Sequence, residues 1–318
     1  MLTALLAALT GALAVGLFRQ LALARHWLAV PTLRGLHERP TPSGAGAALF
    51  LTLALLALLA PWWQPGAYRP LVAGACLLAA VGFVDDLRPL AALPRLLLYA
   101  AAALYAAAWA SAAASPALLF GLAVAILAFT NFFNFMDGTD GLAASQCVLA
   151  AGIVGALGAA GATSPAYAGL CLTLAGLHAG LLPFNAPRAS VFMGDAGSVP
   201  TGFLLAALAV AGTLREGLPP ALWLLLGAVF VCDAGTTLLF RLWRGAALAA
   251  AHREHLYQRL ARRWRSHGRV LLLFWGLQLG WLTPLAVLSW LRPPLAPLLL
   301  LLGYGSLIIT MVKLRGLQ

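Results

Sequence analysis

Charge is what this chain has least of. Only 9% of its 318 residues are Asp, Glu, Lys or Arg, against roughly 25% in soluble domains. A surface so poor in charge cannot face water, which excludes an ordinary soluble globular domain. Acids are the scarcest, nine against twenty bases, and every base except Lys313 is Arg. Cysteine is also rare. Cys76, Cys147, Cys171 and Cys232 lie in or beside apolar segments and form no C-x-x-C pair. That excludes a disulfide framework or zinc ribbon and makes them small buried hydrophobes. There is no internal repeat, no nucleic-acid-binding motif and no interleaved basic-aromatic groove. Nucleic acid is therefore excluded as a partner despite the net charge of +11. Residues 1–17 lack a basic flank and a cleavage site, so they are expected to be a retained first span.

What is present is apolar length. Apolar residues make up 62% of the chain, and they recur in stretches long enough to cross a bilayer. Eleven spans are predicted, at 1–17, 44–62, 71–84, 93–110, 116–134, 143–161, 166–184, 199–214, 218–240, 271–291 and 295–312, the third of them short. Gly, Pro and charge mark the breaks, as at Pro42-Ser43-Gly44 and Leu218-Pro219-Pro220. The fold class expected is all-α, a polytopic membrane helix bundle of about eleven helices forming one domain over residues 1–318.

Alternating the loops between two sides sorts the bases sharply. Seventeen of twenty fall on one side, counting Arg95 at the mouth of a span; only Arg69, Arg215 and Arg292 fall on the other. The positive-inside rule makes the first side cytoplasmic, with the N-terminus outside and the C-terminus inside. Eight of the nine acids follow the bases, Glu216 being the exception. That rule does not act on carboxylates, so a polar cavity, a metal or a partner must gather them.

Four motifs lie on that side. Gly82-Phe83-Val84-Asp85-Asp86 puts two adjacent carboxylates at a span end, where like charges disfavour one another unless a cation or a counter-charge (Arg88 or Arg95) intervenes. The run Asn131-Phe132-Phe133-Asn134-Phe135-Met136-Asp137-Gly138-Thr139-Asp140-Gly141 punctuates an apolar stretch with amides and carboxylates, and its glycines allow close backbone approach. Its D-x-x-D spacing lacks the other positions of a calcium loop. Asn185 opens a segment ending Phe192-Met193-Gly194-Asp195-Ala196-Gly197-Ser198, where a lone Asp between glycines suits a metal or phosphate site and Phe192 suits base stacking. The basic segment 241–269 holds His252, Arg253 and His255 in one tight group; without thiolates these do not make a zinc site. Before the second span, His37 and Arg39 sit in a Pro-rich stretch suited to phosphate contact, and Asp233 lies inside the ninth span. His178 reads as a satisfied core residue.

In this order, N-F-F-N-F-M-D-G-T-D-G-L-A, F-M-G-D-A-G-S and A-H-R-E-H-L-Y-Q-R-L resemble the polyprenyl-phosphate N-acetylhexosamine-1-phosphate transferases, from about His37 to Arg269. The form R-P-T-P-S-G is most similar to the subgroup that initiates O-antigen and related surface polysaccharides. The resemblance implies a bacterial inner-membrane enzyme with a cytoplasmic active site. Its partners would be a UDP-amino-sugar donor, undecaprenyl phosphate as acceptor, and membrane lipid; a homodimer is compatible with it. The cofactor implied is Mg²⁺, with Mn²⁺ as a substitute, held at Asp195. The resemblance places catalysis on Asp85, Asp86, Asp137 and Asp195. It places substrate contacts on His37, Arg39, Asn131, Asn134, Asp140, Asn185, Phe192, His252, Arg253 and His255. Many relatives read H-L-H-H where this chain reads His255-Leu256-Tyr257-Gln258, and a Lys common after the Asp pair is missing, with Arg95 nearby instead. The triple-His form of the muramoyl-pentapeptide enzyme is absent, which argues against that donor. A transporter of an anionic lipid or sugar is the rival reading, but it should carry charge at mid-membrane and near both faces.

Overall fold

A computed structural model describes residues 1–30, 39–59, 66–111, 115–247 and 252–316. His37 lies outside the described residues. The chain is a helix bundle, and its only strands among the described residues are a two-residue pair, β1 (Leu28–Ala29) and β2 (Thr41–Pro42). The helices are α1 (Leu2–Ala24), α2 (Gly46–Leu59), α3 (Arg69–Leu87), α4 (Ala92–Ala110), α5 (Pro116–Phe135), α6 (Leu142–Leu157), α7 (Pro165–Asn185), α8 (Asp195–Arg215), α9 (Pro220–Trp243), α10 (Leu256–Trp264), α11 (His267–Leu277), α12 (Thr283–Leu291) and α13 (Ala296–Gly316). Wide turns at Gly158–Ala162 and Gln278–Leu282 extend α6 and join α11 to α12 into one span.

Ten helical segments are long and apolar enough to cross a membrane, and α2, with 14 described residues, is a shorter eleventh. The chain is thus a multi-pass membrane protein. The third span is not short. Helix α3 has 19 residues, because Pro70 in its first turn starts it early and the Asp85-Asp86 pair rides on its last turn.

The bundle is layered by burial. Helix α8 is the most enclosed, with 78% of its apolar window buried, and α7 and α9 follow at 72% each. Helices α1, α5 and α13 are the least enclosed of these ten, with 22% of the window buried in each. Close approach is set by small residues, as expected where lipid removes any hydrophobic drive between helices. A Cβ on Gly176 or Gly180 of α7 would stand 2.3 Å from a carbonyl oxygen of α1. Gly46 of α2 would meet Gly197 at 2.0 Å, and Gly82 of α3 would meet the Asp195 carbonyl at 2.4 Å. These two glycines draw α2 and α3 onto the start of α8. Some polar groups inside the bundle are paired: the buried His178 bonds Thr201 Oγ1 (2.8 Å) and the Leu174 carbonyl (2.9 Å), and Gln146 donates to the Leu226 carbonyl, whereas the side-chain amide of the buried Gln278 has no hydrogen-bond partner among the described residues.

Candidate active site

The C-terminal ends of α3 and α5 meet the N-terminus of α8 at one end of the bundle. Each brings one of the sequence motifs. Asp86 accepts the Asp195 and Ala196 backbone N–H groups at 2.9 and 3.1 Å. It caps α8 from a neighbouring helix, satisfying two amides that have no partner within α8 and placing negative charge at the helix's positive end. Gly194 makes this approach possible. Its φ is +73°, and a Cβ there would lie 2.3 Å from Asp86 Oδ2.

Asp195 is held from two sides. Asn134 Nδ2 donates to its Oδ1 at 2.9 Å and to Ser198 Oγ at 2.8 Å, while Arg95 Nη1 lies 3.1 Å from its Oδ2. The same Arg95 nitrogen pairs with Asp85, which also accepts the Leu90 N–H. Arg95 thus bridges two carboxylates that are 100 or more residues from one another in sequence. Asp137 is half-buried on the loop leaving α5. Among the described residues its carboxylate has no hydrogen-bond or ion-pair partner. Burial, followed by the nearby Asp195 and Asp86 carboxylates, pushes its pKa well above the usual carboxylate range.

That shift has a measurable consequence. The folded protein holds the Asp137 proton more tightly than the unfolded chain does. Stability therefore falls as pH rises above the ordinary value of 3.8 and keeps falling until the folded carboxyl ionises. Asp137→Asn mimics the protonated form. In metal-free buffer at pH 7 it is expected to melt a few degrees above the natural protein and to lose this group's share of the pH slope. A melting point equal to or below the natural protein's would contradict the uncompensated charge.

A cleft of about 770 Å³ adjoins the same loops, lined by Arg39, Asp140, Arg188, Phe192, Arg265 and His267 among others. Asp140 pairs with His267 Nδ1 at 2.9 Å and accepts the Ala189 N–H at 3.0 Å. Burial raises its pKa, but the imidazole and the amide more than offset this and hold it below the usual range. Asp140 lies three residues after Asp137, and Phe192 three before Asp195, so the cleft and the carboxylate cluster share two loops. The Arg39–Gly44 stretch is threaded against Phe192: its N–H donates to the Pro42 carbonyl (2.8 Å), and its own carbonyl accepts from Ala45 (3.1 Å). A second cavity of about 270 Å³ lies among apolar residues of α5, α6, α8, α9 and α13, and it holds no carboxylate, His or Arg.

Other expected site residues do different work. Asn185 is buried and ties loops together, accepting from the Gly141 N–H (3.2 Å) and donating to the Val191 carbonyl (3.0 Å). Asn131 turns its amide back onto the Leu127 carbonyl (2.8 Å). The His252 and His255 rings pack at a tilt, with centroids 5.0 Å apart, and His255 lies 6.0 Å from the Phe135 ring at the end of α5. The basic segment thus abuts the Asp137 loop. Arg253 offers its carbonyl to Arg262. Sequence reasoning did not single out Ser198, Tyr257, Arg188, Arg265 or His267 as site residues. The first two had a visible signal, being polar positions inside the quoted motifs. His267 had none, because its partner Asp140 is 127 residues away.

Metal binding can be tested against these groups. Among the described residues no three His, Cys, Asp or Glu side chains form a ready-made metal cage. Mg²⁺ does not require one: one or two carboxylates and the oxygens of a bound phosphate suffice. The uncompensated Asp137 carboxylate beside Asp195 fits that donor set.

Comparison with known proteins shows the family. The profile of glycosyl transferase family 4 matches residues 68–213. The decaprenyl-phosphate N-acetylglucosaminephosphotransferase of Mycolicibacterium smegmatis is 31% identical over 324 residues, covering 86% of this chain and 78% of that protein. Its namesake from Mycobacterium leprae is 30% identical over 323 residues, with 86% and 80% covered. The phospho-N-acetylmuramoyl-pentapeptide-transferase of Symbiobacterium thermophilum is 37% identical over 158 residues, with 47% and 45% covered. The matched segment contains Asp85, Asp86, Arg95, Asn134, Asp137 and Asp195, the residues that meet at the start of α8. The chain belongs to glycosyl transferase family 4, the polyprenyl-phosphate hexosamine-1-phosphate transferases.

Proposed function

We propose that this protein transfers an N-acetylhexosamine-1-phosphate, or a related amino-sugar-1-phosphate, from a UDP-sugar to undecaprenyl phosphate. The setting is the cytoplasmic face of a bacterial inner membrane, and the product initiates O-antigen or another surface polysaccharide. The observation that carries this reading is the meeting of Asp85, Asp86, Asn134, Asp137 and Asp195 beside a cleft lined by three arginines. Arg forks suit phosphate oxygens. The lipid phosphate oxygen attacks the donor's β-phosphorus. The bond from that phosphorus to the bridging oxygen breaks, UMP departs with the electron pair, and a polyprenyl-diphospho-sugar forms.

Asp137 and Asp195 would hold Mg²⁺, which when bound supplies positive charge to the diphosphate as a Lewis acid. Arg95 keeps Asp85 and Asp195 in fixed relation, and Asn134 sets the orientation of Asp195. Asp86 already spends both oxygens on the backbone of α8, so its part is to place Asp195. No general base is required: a phosphate monoester has its second pKa near 6 and is largely ionised at neutral pH. Phe192 in the cleft offers a face for the uracil ring.

The relatives named for a decaprenyl acceptor make that lipid the comparison arm. The purified protein should release UMP from one member of a UDP-amino-sugar panel when undecaprenyl phosphate and Mg²⁺ are present, and EDTA should stop it. Release that needs no lipid, or none with any donor and either lipid, would overturn the proposal. Preference for decaprenyl phosphate would correct the acceptor alone.

A further inference from the structure

We propose that Tyr257 is a positioning residue for the Asp137 loop and that Asp233 holds Tyr257 in place. This rests on the reading of the Asp137–Asp195 cluster as the reacting centre. The argument starts in the membrane. Asp233 is fully buried in α9, where an acid is costly unless engaged. It reaches out of its own helix to α10: Oδ1 accepts the Leu256 N–H at 2.7 Å, and Oδ2 accepts the Tyr257 N–H at 3.0 Å. These are the first two amides of α10, which have no partner inside that helix. A carboxylate on a span therefore fixes where α10 begins.

Tyr257 is what that start aims. Its side chain is buried, 1% exposed, and its hydroxyl donates to the Phe135 carbonyl at 2.9 Å. That carbonyl belongs to the last turn of α5, whose acceptors lack partners in their own helix. The hydroxyl also closes over Gly138: a Cβ there would lie 2.2 Å from it, with the next ring atom at 3.2 Å. Phe135 and Gly138 flank Met136 and Asp137. One phenol thus pins the loop on both sides of the unpartnered carboxylate. Burial, with Asp233 and Asp137 nearby, pushes the phenol's pKa well up, so it remains a donor. It is too enclosed to touch substrate and acts through the loop it clamps.

The test is a reciprocal pair in the full-length, detergent-purified protein: Gly138→Ala, Tyr257→Phe and the double variant. Melting temperature is read alongside kcat and donor KM for UMP release. Gly138→Ala should lower kcat at least tenfold, since displacement by about an ångström at a reacting group has large effects. Tyr257→Phe should lower it by about threefold or more, with KM nearly unchanged. The double variant should recover most of the Gly138→Ala loss, because the clashing hydroxyl is gone. Asp233→Asn, which keeps one acceptor, should lower kcat in the same direction in protein that still melts cooperatively. A double variant no better than Gly138→Ala, or Tyr257→Phe with natural kcat, overturns the proposal. Should the natural protein release no UMP, the functional reading fails instead. The clamp is then judged by melting temperature, where it requires Tyr257→Phe to restore what Gly138→Ala removes and is overturned if it does not.

Discussion

Asp195→Ala is expected to lower UMP release by about a thousandfold, the scale of losing a preorganised electrostatic group or a metal ligand. Asp195 is the point where three elements cross: Asn134 from α5, Arg95 from α4 and its own helix α8, whose first amide is held by Asp86. Removing its carboxylate deletes one proposed metal ligand and leaves Arg95 and Asn134 without their shared acceptor. Asp195→Asn keeps the shape and one acceptor oxygen but not the charge, so a similar loss there would identify charge as the essential property. The measurement is kcat for UMP release at saturating Mg²⁺, with a melting curve to show an intact fold. Full activity in folded Asp195→Ala would remove the residue from the chemistry.

Arg95→Met should lower kcat by about a hundredfold and reduce the melting temperature as well. Among the described residues, Arg95 is the one cation that touches both Asp85 and Asp195. Removing one partner of a buried ion pair commonly costs about 3–5 kcal/mol, because the other charge is left uncompensated, and the cost is smaller where solvent reaches the pair, as it does at Arg95, 27% exposed. Here two charges are left. Arg95→Lys restores the charge but not the planar fork, so partial recovery is expected. The lysine variant should exceed the methionine variant in melting temperature, and both should fall short of the natural kcat. Equal activity in Arg95→Met and the natural protein would reduce Arg95 to a spectator.

Much of the candidate site was legible beforehand because its residues violate their surroundings. Asp85, Asp86, Asp137 and Asp195 interrupt apolar stretches, where a carboxylate has no reason to be unless something engages it. Their sorting to one side, with the bases, pointed to a shared site before any geometry existed. Roles were less legible. Asp86 and Asp195 were both expected to take part in catalysis, yet one caps a helix and the other is held by an arginine and an amide. Asn185 sits in a recognisable motif, but its amide is consumed by the Gly141 and Val191 backbones. Arg95 looked like a counter-charge for the adjacent Asp85-Asp86 pair and proved to bridge Asp85 to the distant Asp195. His267 and the Tyr257 hydroxyl gave no warning of Asp140 and the Phe135 carbonyl, their partners more than 100 residues away.

Taken alone, the order of residues determined that this chain lives in a membrane, roughly where it crosses, which side gathers its charge, and which family it resembles. Those are properties of local composition: apolar length, the placement of Arg, and motifs confined to a dozen residues. Which carboxylate touches which, and whether any is left without a partner, was decided only by the packing of α2, α3, α5, α8, α9 and α10. That packing depends on how closely backbones approach at Gly46, Gly82 and Gly138, and such distances are set by both surfaces at once.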